Sequence, residues 1–253
     1  MKRFTQIVDY QSYRQEHGDL KIGFVPTMGA LHAGHAALIR QSVAECDHTI
    51  LSIYVNPTQF DNPEDLAKYP DMIDQDASLA ESLGVDVLLI PDYEQLYPDS
   101  FSYLVDETQF SHQLCGEHRP GHFTGVLTVV MKLLNIVKPT KAYFGEKDYQ
   151  QLSLIRGMAQ AFFLDATIVG SETVREADGL ALSSRNLNLT SSEREKAAVL
   201  NQMLGSNLSD EAATAELQSR GFRVDYIQTR GGRRFGAATL GSVRLIDNVR
   251  VTK

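Results

Sequence analysis

The sequence predicts an α/β protein, a parallel doubly wound sheet followed by a smaller C-terminal α+β domain. Three observations carry this. Short β-branched or apolar runs alternate with helix-period segments as far as Gly170, the pattern of strand–helix–strand crossovers. The alternation then stops at the irregular, polar stretch Arg175-Glu-Ala-Asp-Gly-Leu-Ala-Leu-Ser-Ser-Arg-Asn186. Helical patterns at 191–203 and 210–219 follow, then two β-rich runs, Phe222–Thr229 and Ser242–Val251, with the Gly231-Gly-Arg-Arg-Phe-Gly236 turn between them. A chain of 253 residues accommodates one or two domains. The expected division is 1–173 and 174–253.

In order, Lys21–Val25 reads as a strand ended by Pro26, which cannot donate to a central ladder. Gly29 and Gly34 permit a tight turn, after which Leu38, Ile39, Ser42, Val43 and Cys46 recur at helical spacing. His48–Val55 is a second strand, broken by Asn56-Pro-Thr-Gln-Phe60. A helix over about Asp71–Leu83 leads to the strand Val85–Ile90. After a polar stretch and Arg119-Pro-Gly-His-Phe-Thr-Gly125, the positions Val126, Val129, Val130, Leu133, Leu134 and Val137 mark a buried-face helix ended by Pro139. Lys141–Phe144 is a strand, Gly145–Asp148 the turn into a helix reaching about Phe162, and Ala166–Gly170 the next strand. No internal repeat or low-complexity segment interrupts this order.

Composition excludes several classes. Hydrophobic content of 43% and charged content of 22% are those of an ordinary globular protein. No run approaches the roughly 18 apolar residues of a membrane span. Met1-Lys-Arg-Phe-Thr-Gln6 leads into no apolar signal core, so no secretory targeting is read. Two cysteines, Cys46 and Cys115, make neither a disulfide framework nor a metal cluster and favour a reducing cytoplasm. A net charge of −8 without a basic stripe argues against nucleic acid. A small anion needs only a local positive pocket, so that ligand class stays open.

In a doubly wound sheet, ligands bind beyond the carboxyl ends of the strands. The first strand, its glycine turn and its helix therefore bring free N–H groups and a positive dipole end to Met28–His35, with His32 and His35 at the helix entrance. The glycine spacing matches neither common phosphate-loop fingerprint, and a structural turn with two surface imidazoles remains the competing reading. Zinc fits poorly, because two histidines lack further ligands at suitable spacing. Lys147 opens a later helix where a cation and a helix dipole together would hold phosphate oxygens; a solvated surface lysine is the alternative. Ser183-Ser184-Arg185 pairs hydroxyls with a guanidinium, which suits a polyphosphate. Asp76 and Gln151 fall within apolar stripes (Met72, Leu79, Ala80, Leu83; Leu152, Ile155, Met158, Ala159, Phe162). Burying such groups without partners is costly, so each needs a partner or a ligand, unless its helix emerges into water there.

Taken together, Pro26-Thr-Met-Gly-Ala-Leu-His-Ala-Gly-His35, Asn56-Pro-Thr-Gln-Phe60, Arg119-Pro-Gly-His-Phe123, Phe144-Gly-Glu-Lys-Asp-Tyr-Gln-Gln151, Asp178-Gly-Leu-Ala-Leu-Ser-Ser-Arg-Asn186 and Arg244-Leu-Ile-Asp-Asn248 occur in one order. This set closely resembles the pantothenate synthetase (pantoate–β-alanine ligase) family over nearly the whole chain. The resemblance implies a Rossmann-like sheet of the class I nucleotidyltransferase type, with His32-Ala-Gly-His35 as its H-x-G-H signature. It also implies a reaction in two steps, adenylation of pantoate by ATP and then displacement of AMP by β-alanine. By the same resemblance, Met28, Gly29, Ala30, Leu31, His32, Ala33, Gly34 and His35 line the ATP site. Gly145, Glu146, Lys147 and Asp148 form a second phosphate- and ribose-side loop. Val174, Leu182, Ser183, Ser184 and Arg185 complete the site from a C-terminal domain that covers it. His32, His35 and Lys147 are the implied catalytic groups, His35 as proton donor or, on physical grounds, as stabiliser of charge developing at the α-phosphate. Gln59 and Gln151 hold pantoate, Gln59 also lying near β-alanine, and Asp76 sits near phosphates that carry Mg2+.

A cytoplasmic homodimer with no membrane or nucleic-acid partner completes the implied picture. Two departures stand out: Asp71-Met72 after Tyr69-Pro70, where the family usually has Arg-Thr, and a C-terminal domain shorter by roughly a helix. A nucleotidylyltransferase of the same fold and a non-catalytic nucleotide-sensing module are the competing functions.

Overall fold

Strand and helix alternate from the first residues onward in the computed structural model, which describes residues 1–251. The chain divides into two units, one of Met1–Gly145 with Gln150–Ser171 and one of Glu146–Tyr149 with residues from Glu172 onward.

In the first unit the order is β1 (Lys2–Phe4), α1 (Ile7–Glu16), β2 (Ile22–Thr27), α2 (Ala33–Glu45), β3 (His48–Ile53), α3 (Pro63–Ala67), α4 (Ile73–Ser82), β4 (Val87–Leu89), α5 (Tyr93–Leu96), α6 (Cys115–His118), α7 (His122–Val137), β5 (Lys141–Gly145), α8 (Tyr149–Ala161) and β6 (Thr167–Ser171). The six strands lie in the order β1-β4-β3-β2-β5-β6, and every neighbouring pair is parallel. This is the predicted α/β class. Buried on both faces, the central strands are apolar: Ile22, Phe24, Val25, Ile50, Leu51, Leu88 and Leu89 are at most 1% exposed. Each such side chain contributes about 1.5–3 kcal/mol of burial. The chain leaves β2 towards β3 on one side and β5 towards β6 on the other. The carboxyl ends of β2 and β5 therefore flank the topological switch point, where such sheets open a crevice.

Two local expectations are corrected. Pro26 lies inside β2, opposite Ser52, rather than ending the strand. The carbonyl of Ile22 accepts from Thr140 on the β5 side and that of Thr27 accepts from Tyr54 on the β3 side. By alternation the missing N–H of Pro26 faces β5, whose pairing with β2 stops at Phe24. On α2, Ser42 is fully buried and hydrogen-bonded to Thr49 Oγ1 at 2.8 Å, whereas Val43 is exposed. A Cβ on Gly23 would stand 2.1 Å from Ser42 Oγ, so helix and strand meet closely through a glycine and a serine.

The α2–β5 contact carries a pH-dependent ion pair. Lys141 Nζ donates to Glu45 Oε2 at 2.6 Å and Tyr143 OH donates to the same oxygen at 3.0 Å. The Lys141 hydrogen bond leads in holding the Glu45 carboxyl down at about 2, below its ordinary 4.5. A carboxyl depressed in the folded state stabilises fully above its unfolded pKa and loses that contribution as pH falls through the folded one. The melting temperature of the parent should therefore exceed that of Glu45→Gln at neutral pH, and the gap should close between about pH 4.5 and 2. A gap unchanged across that window would remove Glu45 from the acid response.

The second unit holds α9 (Ser191–Ala197), α10 (Val199–Leu204), α11 (Asp210–Ser219), β7 (Arg223–Arg230), β8 (Arg233–Leu240) and β9 (Val243–Arg250). Its strands form an antiparallel sheet in the order β7-β8-β9. The 231–236 stretch expected as a turn is thus a two-glycine hairpin followed by the central strand. Gly231 and Gly232 take φ of +59° and +75°, the left-handed pair that a tight hairpin requires. Every residue of β8 is buried. A Cβ on Gly236 would stand 2.9 Å from Leu204, so the small residues of this strand let α10 approach, and Leu200, Leu204, Leu217, Ile227, Leu240 and Leu245 fill the core.

Candidate active site

The stretch from β2 into α2 is built by its own side chains. Gly29 and Ala30 both have positive φ, +81° and +50°. The buried Asp76 of α4 holds this strained turn, Oδ2 accepting from Ala30 N and Oδ1 from Leu31 N, each at 2.7 Å. A Cβ on Gly29 would meet Asp76 Oδ2 at 3.0 Å and Ile53 at 3.1 Å, so only glycine fits there. His32 caps α2, its Nδ1 accepting from Gly34 N at 3.1 Å, and His35 Nδ1 accepts from His32 N at 3.3 Å. Gly34 leaves room for the first ring, since a Cβ there would stand 2.8 Å from His32 Cε1.

These hydrogen bonds assign the tautomers. An Nδ1 that accepts from a backbone N–H carries no hydrogen, so each neutral imidazole bears its hydrogen on Nε2. The rings stand 4.2 Å apart. The turn thus presents two ring N–H donors at a helix N-terminus, a combination matched to an anion.

Gln59, in the short 3-10 turn after β3, is oriented from behind. The fully buried Asn56 donates from Nδ2 to Gln59 Oε1 at 3.0 Å and to Gly125 O at 3.3 Å, and accepts at Oδ1 from Tyr97 OH (2.9 Å) and Thr58 Oγ1 (3.0 Å). The Gln59 amide therefore faces forward with its NH2 group, 3.2 Å from Met28 Sδ. The Arg119-Pro-Gly-His segment grips the backbone of Gln59: its carbonyl accepts from His122 Nδ1 at 2.8 Å and from Arg119 Nη2 at 3.3 Å. Arg119 Nε also donates to Asp61 at 2.8 Å; burial pushes that carboxyl up, but the arginine prevails and holds it below the usual range. Gly125 permits the approach, because a Cβ there would lie 2.4 Å from Thr58 O. Asn56, Arg119 and His122 stood in recognisable motifs, yet their supporting roles needed the contacts themselves.

On α8 the sequence pattern singled out Gln151, and the structure buries its neighbour Gln150 instead. Gln150 donates to Phe110 O (2.8 Å) and Gln113 O (2.7 Å) and accepts from Cys115 N (3.0 Å), which anchors the loop before α6. Gln151 is half-buried with no side-chain hydrogen bond among the described residues, and Phe162, expected in the apolar stripe, is 55% exposed. Within the β2–α2 stretch, which also contains Ala33, direct contacts link Met28 with Gln59, Gly29, Ala30 and Leu31 with Asp76, and His32 with Gly34 and His35. Gly145 and Gln151 share only the carboxyl edge of the sheet with them.

The candidates Glu146, Lys147, Asp148, Val174, Leu182, Ser183, Ser184 and Arg185 belong to the second unit. Lys147 lies in the Glu146–Asp148 3-10 turn with Nζ 3.7 Å from Asp148 Oδ1. Leu182 N donates to Val174 O at 3.0 Å, which closes a loop whose exit is the 3-10 turn Ser184–Asn188, capped by Ser183 Oγ accepting from Arg185 N.

The metal-side role implied for Asp76 does not fit this geometry. The carboxylate is 3% exposed and both its oxygens are committed to backbone N–H groups. Among the described residues no group of three or more His, Cys, Asp or Glu side chains is arranged to hold a metal. Nor is any helix among the described residues long and apolar enough to cross a membrane.

Known proteins resemble this chain over nearly its whole length. The model of the family described as pantoate-beta-alanine ligase matches residues 2–250. A curated pantothenate synthetase of Bdellovibrio bacteriovorus is 54% identical over 96% of both chains, and one of Coxiella burnetii is 49% identical over 100% of this chain and 98% of its own. The pantoate-beta-alanine ligase of Francisella tularensis, solved with beta-gamma ATP and beta-alanine, superposes with a TM-score of 0.93 at 44% identity, covering 99% of this chain and 97% of that one. The pantothenate synthetase of Thermus thermophilus does so with 0.90 at 37%, covering 100% of each. Since 96% or more of each of these relatives is spanned, the expected shortening of the C-terminal domain does not hold against them. By family model, by sequence over almost its full length and by fold, this chain belongs to the pantoate–β-alanine ligase family.

Proposed function

We propose that the chain condenses (R)-pantoate with β-alanine in an ATP-driven reaction that passes through pantoyl adenylate. In the first step a pantoate carboxylate oxygen bonds to the α-phosphorus of ATP while the bond from that phosphorus to the bridging oxygen breaks, releasing pyrophosphate. In the second, the neutral amine of β-alanine bonds to the acyl carbon, the bond to AMP breaks, and the amine loses a proton as the amide forms.

The observation that carries this reading is the tautomer assignment at His32 and His35. Two Nε2–H donors at the entrance of α2 suit the negative charge that gathers on the α-phosphate and bridging oxygen. The forward-facing NH2 of Gln59 suits the oxygens of pantoate, with Gln151 as its implied companion. Lys147, with Glu146, Asp148 and Gly145, is assigned to the phosphates, and Val174 with Leu182–Arg185 to the rest of the nucleotide. No side-chain nucleophile is needed, because adenylation depends on alignment and charge neutralisation. A C-terminal unit that covers the site, a homodimer and a cytoplasmic location belong to the same reading.

Isotope exchange tests it. Labelled pyrophosphate should enter ATP when pantoate is present and β-alanine is omitted, and AMP should accumulate only when all three substrates are supplied. Exchange that requires β-alanine, or ADP as product, would replace the adenylate with a concerted or acyl-phosphate route.

A further inference from the structure

One motif is left unexplained by the chemistry above, Arg244-Leu-Ile-Asp-Asn248 on β9. Asp247 and Asn248 are 5% and 3% exposed, and their polar atoms reach in two directions. Asp247 receives the guanidinium of Arg175 at both oxygens, 2.6 Å to Oδ2 and 2.9 Å to Oδ1. Asn201 Nδ2 adds a further donor to Oδ2 at 2.9 Å, and Arg175 also reaches Gly179 O at 3.0 Å. Arg175 and Gly179 belong to the loop that Leu182 N and Val174 O close. Asp247 therefore grips the segment leading into Ser183-Ser184-Arg185.

Asn248 grips the other segment. Its Nδ2 donates to both Glu146 O and Lys147 O at 2.9 Å, and its Oδ1 accepts from Arg233 Nη1. Arg233, itself 7% exposed, donates to Glu146 Oε2 at 2.8 Å and lies over the Tyr149 ring at 3.8 Å. Every donor and acceptor of the Asn248 side chain is thus spent on the Glu146–Tyr149 segment or on the arginine that braces it. Such an arrangement fixes a main-chain path, because a buried amide with all its valences matched tolerates no other.

We propose that Asp247 and Asn248 are positioning residues for the nucleotide, a two-residue clamp that locks the Lys147 segment and the Val174–Arg185 segment to one strand so that both meet ATP as a single preset surface. This rests on the assignment of Lys147 to the phosphates. Asn248 touches only the segment that carries the lysine and the arginine that braces it, so its effect on ATP should run chiefly through Lys147, which separates its role from general support of the fold.

A double-mutant cycle reads this on the full-length chain, with kcat/KM for ATP measured at saturating pantoate and β-alanine. Asn248→Asp keeps the shape but sets a carboxylate against two carbonyls; misplacement of about 1 Å should lower kcat/KM by about 10- to 100-fold. In the Lys147→Ala background the same change should cost less than about twofold, since neighbours acting through one another are not additive. Equal losses in the two backgrounds would reduce Asn248 to fold support and overturn the proposal. Full activity in Lys147→Ala alone would instead overturn the phosphate assignment, a distinct outcome. If Asn248→Asp does not fold by circular dichroism, Arg233→Lys, which gives up the paired contacts to Glu146 and Asn248, enters the same cycle. Its loss vanishing without Lys147 supports the clamp, and its loss persisting there overturns it.

Discussion

Replacing His35 with alanine is expected to lower turnover by about 10²–10³-fold, the usual cost of losing one preorganised donor at a developing charge. Stability should change far less. Removing the capping hydrogen bond that its Nδ1 accepts from His32 N costs about 1 kcal/mol, or about 2–4 °C in melting temperature for a chain of this size. The two ring nitrogens can be separated. Asparagine places an oxygen where Nδ1 stands, so His35→Asn should keep the cap and melt like the parent while turnover falls as in the alanine variant. Glutamine reaches the Nε2 position, so His35→Gln should recover part of the rate with the cap lost. Turnover by His35→Asn near the parent rate would show that the Nε2–H contributes nothing to catalysis, and that the histidine serves the helix alone.

The largest effect on folding should come from Asp76. Its two oxygens satisfy two backbone N–H groups in a turn where Ala30 holds a left-handed φ. Truncation to alanine leaves both donors without their acceptor, and with about 1–3 kcal/mol for each unsatisfied group the expected loss is about 2–6 kcal/mol. Asp76→Asn should be nearly as harmful despite its shape, because its NH2 would face one of the N–H donors. Chemical denaturation of the three proteins reads the loss from the transition midpoints at a common slope. Both variants should also lose activity, since Met28–His35 can no longer hold its path. If Asp76→Asn retained parent stability, one N–H of the turn would have to find another acceptor, and the clamp assigned to Asp76 would be wrong.

The sheet was legible wherever periodicity and composition agreed, as in His48–Val55 and the helix through Val126–Val137. It failed where small or polar residues carry a strand. Arg233-Arg-Phe-Gly-Ala-Ala-Thr-Leu240 has few β-branched residues, yet it is the central strand of its sheet. Its alanines and Gly236 make room for α10, and its two arginines are buried against Glu146 and Asp210. Pro26 misled for a related reason: the rule against proline concerns a missing donor, and that donor has nothing opposite it. Lys2–Phe4 and Ile7–Glu16 escaped notice because the helix has a weak stripe, with Ile7, Tyr10 and Tyr13 as its buried residues.

Within the site, the sequence pointed to Asp76 as an anomaly without revealing what it holds. A buried carboxylate signals a partner, and only coordinates identify that partner as a backbone turn 45 residues earlier in the chain. The glutamine pair shows the limit of helical phase. Gln150 and Gln151 differ by one position, about 100° around the helix, which is less than the uncertainty in where a helix begins. The histidines were found as a pair, but their tautomers follow only from the N–H groups they accept.

The assignment of Glu146–Tyr149 to the second unit limits how the gene for this protein can be cut. Four residues encoded in the middle of the first unit complete the polar packing around Arg233 and Asn248. A fragment starting at Glu172 would lack them, and its buried arginine would keep Asn248 but face no glutamate. A fragment ending at Ser171 would carry a lysine turn with its carbonyls unclaimed. Exchange of C-terminal segments between relatives should therefore succeed only when the short insert is exchanged with them, because the second structural unit of this protein is discontinuous along its gene.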